Sequence, residues 1–366
     1  MMVLMLVAFA AVPASAQPDD NVRIELTFTA DQLNRSKVFG LAHRPSLREA
    51  TLDDPVRVAS ISKLAVGIAV MRLVDKQALD LDRDVSLYLG WRLVHPQFPR
   101  QKITLRLLLS HQSGLKDDAG YFIPLDAKLA DLIAKPEAWD ENHGPGAYFR
   151  YANLNYPVVA AVMEAATGRR FDRIMIEEVF EPLSIPACYN WSGCKASAAK
   201  DAITLYRPDG SVARDDWVGD PDQCPYVAAT DGRCDLDAYL SGENGSAFAP
   251  QGGLRVSAGG LARLGQMLLN GGDGLLTPLS FAELIRAQWR FDGSNGDDDQ
   301  GYFTAYGLGV QRIEQPDGQV WIGHPGEAYG LRAGLWVDRA SGDGVVRIST
   351  GIAEDYPVGH CLVVCP

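Results

Sequence analysis

The chain holds 366 residues, with 36 Gly, 21 Pro, 6 Cys and a formal net charge of -12. At 47% hydrophobic and 22% charged it is too apolar for a disordered chain, and it is long enough to bury a large core in two domains or one composite domain. Its acidity excludes a general nucleic-acid binder and disfavours docking on anionic lipid, since both surfaces reward basic patches.

The apolar run from Val3 to Val12 is broken by Pro13 and followed by Ala14-Ser15-Ala16. It reads as a signal peptide over residues 1–16, although no Lys or Arg precedes the run as a positive n-region would require. The run is too short to span a bilayer, so the expected product is periplasmic or secreted, without stable membrane insertion after cleavage. The even cysteine count agrees with export, because oxidising compartments favour disulfides. Proximity in sequence favours Cys188–Cys194, Cys224–Cys234 and Cys361–Cys365. No C-x-x-C pair or H-E-x-x-H appears, so a metal site is not expected.

Residues 22–29 alternate apolar and polar and predict a strand, with 37–41 as a candidate partner. Ser60 opens a nearly all-apolar helical segment through Leu64–Val74, a pattern buried on most faces. Thr104 is a plausible N-cap for a second helix over 103–109, and residues 156–180 also look helical. From 184 to 250 Pro, Gly, Asp and four of the cysteines concentrate, which reads as a loop-rich excursion pinned by disulfides. A helix over 258–270 follows, with Ser257 as N-cap and Gly271-Gly272 as the stop. The acidic 292–300 stretch reads as an exposed loop. Strand patterns then recur over 306–312, 319–323, 330–338 and 344–350. Strands at both ends with helices between imply an α/β (α+β) layer built from both termini. The sheet domain is expected over 17–104 and 251–366, with a helical, loop-rich subdomain over 105–250.

There is no G-x-S-x-G, Walker loop or G-x-G-x-x-G. The chain has two S-x-x-K patterns. Ser192-Gly193-Cys194-Lys195 lies in a Gly/Cys loop, where the lysine has no fixed place. Ser60-Ile61-Ser62-Lys63 starts a helix, and residues three apart share a helical face. Lys63 can then reach Ser60, and burial can depress its pKa enough to make it a base for an otherwise weak nucleophile. Taken alone, a Ser N-cap followed by a solvated Lys is the simpler reading. Tyr151-Ala152-Asn153 offers a proton relay and an amide, or else a Tyr-rich packing segment. His324-Pro325-Gly326 falls between two strand patterns, which suits an edge strand beside a cleft or a plain turn. A Gly there admits close backbone approach.

In this order, at intervals of about 90 and 170 residues, the three elements resemble the serine β-lactamase-like superfamily of class C β-lactamases, D-Ala-D-Ala carboxypeptidases and β-lactamase-fold carboxylesterases. The segments Leu108-Leu109-Ser110-His111-Gln112-Ser113-Gly114-Leu115, Gln251-Gly252-Gly253-Leu254 and Tyr306-Gly307-Leu308-Gly309 support the likeness, which covers roughly 50–350. The resemblance implies the β-lactamase/transpeptidase-like fold, an antiparallel sheet flanked by helices.

It also implies Ser60 as the acylated nucleophile, Lys63 and Tyr151 as base and proton relay in an order left open, and Asn153 orienting Lys63 and holding substrate. His324 would line the cleft and tune Tyr151. The amides of Ser60 and Glu327, next to Gly326, would form the oxyanion hole. No metal or organic cofactor is implied. The third motif departs from the Lys-Thr-Gly of β-lactamases, which weakens the anchor for a substrate carboxylate, although Arg332 could restore one. The expectation is an exported serine hydrolase of small esters, amides or peptide-like substrates. The alternatives are a penicillin-recognising D,D-peptidase or β-lactamase, and a catalytically silent binding homologue. Ser60, Lys63 and Tyr151 together argue against silence. The sequence leaves oligomeric state open. Residues 351–366 hold no amphipathic helix, which leaves a truncation or a disulfide-closed turn where the family has a helix.

Overall fold

A computed structural model describes residues 20–353. The leader, the Cys361–Cys365 pairing and nearly all of the 351–366 end lie outside the described residues. Eight strands form one antiparallel sheet: β1 (Arg23–Phe28), β2 (Leu33–Phe39), β3 (Trp289–Arg290), β4 (Ala305–Tyr306), β5 (Gln311–Glu314), β6 (Val320–Ala328), β7 (Leu331–Asp338) and β8 (Asp343–Ser349). Their spatial order is β3-β4-β5-β6-β7-β8-β1-β2. The two ends of the chain therefore meet inside the sheet, where β1 pairs with β8 from Arg23↔Ser349 to Phe28↔Gly344. This is the β-lactamase/transpeptidase-like mixed α/β plan.

β1 alternates as its sequence predicts, with Ile24, Leu26 and Phe28 buried. Three longer helices follow in chain order, α1 (Ser62–Asp75), α2 (Asn155–Thr167) and α3 (Ala258–Leu269), and β1 packs against α3. Burying each such side chain contributes roughly 1.5–3 kcal/mol. Gly265 of α3 admits the Phe28 ring, because a Cβ there would lie 2.3 Å from Phe28 Cζ. Ser257 caps α3 by accepting the Gly260 amide, and Thr104 caps the helix Leu105–Leu109 by accepting that of Leu107. α1 is buried on nearly all faces, as an apolar segment without a polar stripe requires.

The sequence misplaces several boundaries. The partner of β1 is Leu33–Phe39, and Gly40 (φ +91°) turns the chain so that Leu41–His43 joins a separate hairpin. The expected helix over 156–180 is broken at Gly168, whose left-handed conformation (φ +68°) ends α2. The expected strand over 306–312 is divided by a turn at Gly309 (φ +75°). β6 does not stop at Gly323 but runs on to Ala328, so His324-Pro325-Gly326 lies within a strand. Region 184–250 is loop-rich as read, and disulfides join Cys188 to Cys194 and Cys224 to Cys234.

Candidate active site

Ser60 stands in a short 3-10 turn, Ala59–Ile61, that leads straight into α1. Ala59 adopts φ +46°, a left-handed conformation that costs a non-glycine residue roughly 1 kcal/mol. Neighbours hold this turn. The Val58 amide donates to Leu254 O (3.1 Å), the Ser62 hydroxyl to Ala59 O (2.6 Å), and the Leu254 amide to Ser62 Oγ (3.0 Å). Gly326 packs against the same turn, because a Cβ there would lie 2.2 Å from Val58 O. Gly326 thus admits the turn that carries Ser60, a closer neighbour than the substrate backbone expected from sequence.

One helical step on, Lys63 is fully buried, and its Nζ lies 2.9 Å from each of Ser60 Oγ, Asn153 Oδ1 and Gln251 O. Burial depresses its pKa to about 7, against a smaller upward pull from the Asp117 carboxylate. A neutral amine has two protons and one lone pair. Asn153 Oδ1 and Gln251 O only accept, so they take the two protons and the lone pair is left facing the Ser60 hydroxyl.

Asp117, which the sequence reading did not single out, fixes this geometry. Its carboxylate accepts the Asn153 amide (3.0 Å), Asn153 Nδ2 (2.9 Å) and the Leu154 amide (2.9 Å). Asn153 must then turn Oδ1 towards Lys63. A carboxylate two residues past the Leu108–Leu115 segment was the available signal.

That segment is a pillar for Tyr151. The His111 ring stacks on the Tyr151 ring (centroids 4.3 Å, 24°), and its Nδ1 accepts the Ala152 amide (3.1 Å). Burial, then the Lys63 charge, keep His111 well below its ordinary pKa, so the imidazole is neutral. Ser113 Oγ donates to Asn155 Oδ1 (2.5 Å), which anchors the start of α2. Tyr151 hydrogen-bonds Ser60, while burial raises its phenol well above the usual range and keeps it protonated. Ser60, Tyr151 and Asn153 remain partly exposed.

His324 is placed differently from the reading. It is completely buried, at a ring distance of 6.2 Å from Tyr151. Its Nδ1 donates to Pro325 O (2.6 Å), and its Nε2 accepts from Tyr306 OH (2.7 Å). Burial, then the Lys63 charge, hold its pKa at about 3, so it brings no cation to the cleft. Arg332 is engaged with Glu327 (3.0 Å). Ser192 of the second S-x-x-K donates to buried Asp172 (2.6 Å), far from this machinery in role.

Glu327 sits on a free margin of β6, because pairing with β5 ends at Gln311↔Gly323. Tyr329 and Gly330, both with positive φ, form a two-residue turn between β6 and β7. Bonded and non-bonded pairs alternate from that turn. Ala328↔Leu331 and Gly326↔Ala333 bond inward, while Glu327 and Pro325 face out. Pro325 thereby loses no ladder bond for want of an N–H. The Glu327 amide points from the free margin beside the Ser60 turn, the disposition an oxyanion hole needs.

Among known proteins, the chain is 27% identical to penicillin-binding protein 4* of Bacillus subtilis over 158 residues, 39% of this chain and 32% of that one. It is 25% identical to a D-aminopeptidase of Cereibacter sphaeroides over 204 residues, 52% of this chain and 37% of that one. These matches span about a third of the relatives' own length. Among solved structures, EstCE1, a hydrolase with promiscuous acyltransferase activity, superposes with a TM-score of 0.69 at 22% identity, covering 91% of this chain and 89% of that one. That likeness is one of fold. The beta-lactamase family model matches residues 28–356, so the chain belongs to the beta-lactamase family.

Proposed function

We propose that the protein is an exported serine hydrolase that cleaves an ester or amide through an acyl-enzyme on Ser60. The observation that carries this reading is the buried Lys63 amine, poised near neutral pH with its free lone pair directed at Ser60 Oγ. Lys63 takes the hydroxyl proton as Oγ bonds to the substrate carbonyl carbon. The Ser60 and Glu327 amides receive the developing oxyanion, and each such donor is worth roughly 3–4 kcal/mol. Tyr151, protonated and bonded to Ser60, gives its proton to the leaving group and is refilled from Lys63. Water then repeats the attack on the acyl-enzyme and releases Ser60.

Esters and amides are favoured over β-lactams because the third motif supplies no cation at the leaving-group end: His324 is neutral and Pro325 has neither hydroxyl nor N–H. The D-aminopeptidase and hydrolase likenesses support the same class. Two disulfides support export, and among the described residues no helix is long and apolar enough to cross a membrane. The test is a fluorophosphonate probe with intact mass, followed by turnover of 4-nitrophenyl butyrate, a D-amino-acid amide and nitrocefin. One label at Ser60, lost in Ser60→Ala, with ester or amide turnover exceeding nitrocefin, is expected. An unlabelled folded protein refutes the proposal, and faster nitrocefin hydrolysis refutes the substrate argument.

A further inference from the structure

Three residues before the nucleophile, Arg57 is only 4% exposed and pairs in a short strand with Arg255. Buried guanidinium groups ordinarily meet a carboxylate. Arg255 does: it grips Asp215 through Nη2 (2.9 Å) and Nε (3.2 Å), and Trp191 Nε1 donates to the same carboxylate (3.0 Å). That leaves Arg57 with no hydrogen-bond acceptor for its guanidinium among the described residues, and its Nε is buried and unpaired. Arg214, half-buried, has no ion pair among the described residues, and its Nε is also unpaired there. The Tyr329 ring covers both cations, with Arg57 Cζ 5.0 Å and Arg214 Cζ 5.5 Å from its centroid. Arg255 and Arg57 thus both face the Asp215 carboxylate, its oxygens are taken by Arg255 and Trp191, and Arg214 adds a third guanidinium beside them.

The position of this excess charge along the cleft decides what it can bind. The leaving group must face Tyr151 to receive its proton, so it lies at the His324 end of β6. The carbonyl oxygen is held in the middle, at the Glu327 amide. The acyl chain leaves in the other direction along β6, towards the turn that carries Tyr329. Tyr121, on the loop after Asp117, faces the same group: after burial, the Asp117 carboxylate, the Tyr329 phenol and the Arg57 charge all act on its hydroxyl, so Asp117 is the nearest anion on the cleft side. Burial and then the Arg255 charge depress even Arg57, to about 9, and the Tyr329 phenol and the Asp215 carboxylate offset this only in part.

We propose that Arg57, with Arg214 beside it and Tyr329 over it, is an anion subsite that receives a carboxylate on the far end of the substrate's acyl group. The inference rests on the reading of Ser60 as nucleophile and narrows it to esters or amides of dicarboxylic or acidic acyl groups. An anion there would complete the charge balance of the cluster and accept the hydrogen bonds that Arg57 now lacks.

The test compares mono-4-nitrophenyl succinate, glutarate and adipate with 4-nitrophenyl butyrate, in wild type, Arg57→Gln, Arg57→Lys and Tyr329→Leu. At least one dicarboxylate monoester should exceed butyrate in kcat/KM by about tenfold or more, the worth of one charge-assisted hydrogen bond. Arg57→Gln should lower that ratio by about the same factor, Arg57→Lys should restore part of it, and added salt should erode it. A wild-type ratio near one for every chain length overturns the proposal, even if Arg57→Gln fails to fold. A ratio unchanged in a folded Arg57→Gln or Tyr329→Leu overturns it as well. Fluorophosphonate labelling separates the two readings: a labelled Ser60 with no preference for anionic acyl groups sinks the subsite alone, and an unlabelled Ser60 sinks both.

Discussion

Replacing Asp117 by Asn tests whether Lys63 is the base. The carboxylate accepts three N–H groups, orients Asn153 and raises the Lys63 pKa against burial. With Lys63 at about 7, about half of the enzyme holds the free amine at pH 7, about one-tenth at pH 6 and about one-hundredth at pH 5. The rate of 4-nitrophenyl butyrate hydrolysis should therefore climb about tenfold per pH unit on the acid side and flatten above 7. Asp117→Asn removes an upward pull, so the midpoint must move to lower pH. The plateau should also fall, because an amide carries no charge and cannot accept all three donors as strongly. A loss of about 1–3 kcal/mol, or roughly fivefold to 150-fold in kcat/KM, is expected. The assay is the pH profile of kcat/KM for both proteins. A midpoint that stays in place or moves upward while the plateau falls would refute Lys63 as the titrating base.

Three further outcomes follow from the same geometry. The folded Lys63 value of about 7 lies below its ordinary 10.5, so unfolding takes up a proton between those limits and stability should rise from pH 7 to 10.5. Denaturant titrations should show a rise from pH 7 to 9 in the wild type that Lys63→Met lacks, on the order of a few kcal/mol, before the lowered Arg57 adds to both proteins. Gly326→Ala places a Cβ against Val58 O and should cost about 1–3 kcal/mol with a large loss of kcat, read by thermal melting and ester turnover. Ser192→Ala should lose about 1–3 kcal/mol of stability, because buried Asp172 loses a donor, yet keep its esterase rate within about twofold.

What the sequence made legible, and what it hid, divides along local and distant physics. Alternation in β1, the caps at Thr104 and Ser257 and the unbroken apolar face of α1 are local, and they could be read directly. The ordered motifs carried Ser60, Lys63, Tyr151 and Asn153, and the structure brings their side chains together. Asp117 and Arg57 escaped notice because their significance lies in partners 36 and 198 positions away, Asn153 and Arg255. The resemblance implies His324 on the cleft wall, and a motif says nothing of depth. Only packing under Tyr306 shows that it is buried and neutral. The turn at Gly309 that divides an apparently continuous strand, and the extension of β6 through Pro325, are likewise set by neighbours.

The outward face of β6 beyond Gly323 has a consequence for how large a substrate can be. Pro325 has no N–H there, and its carbonyl is occupied by His324. Among the described residues of that margin, Glu327 is then the one whose amide and carbonyl both face away from β7. A long polypeptide docking as an extra strand would find one rung where a ladder is needed, and a neighbouring molecule's edge would find the same. Among the described residues this stretch of margin therefore presents a single rung, a poor template for strand addition.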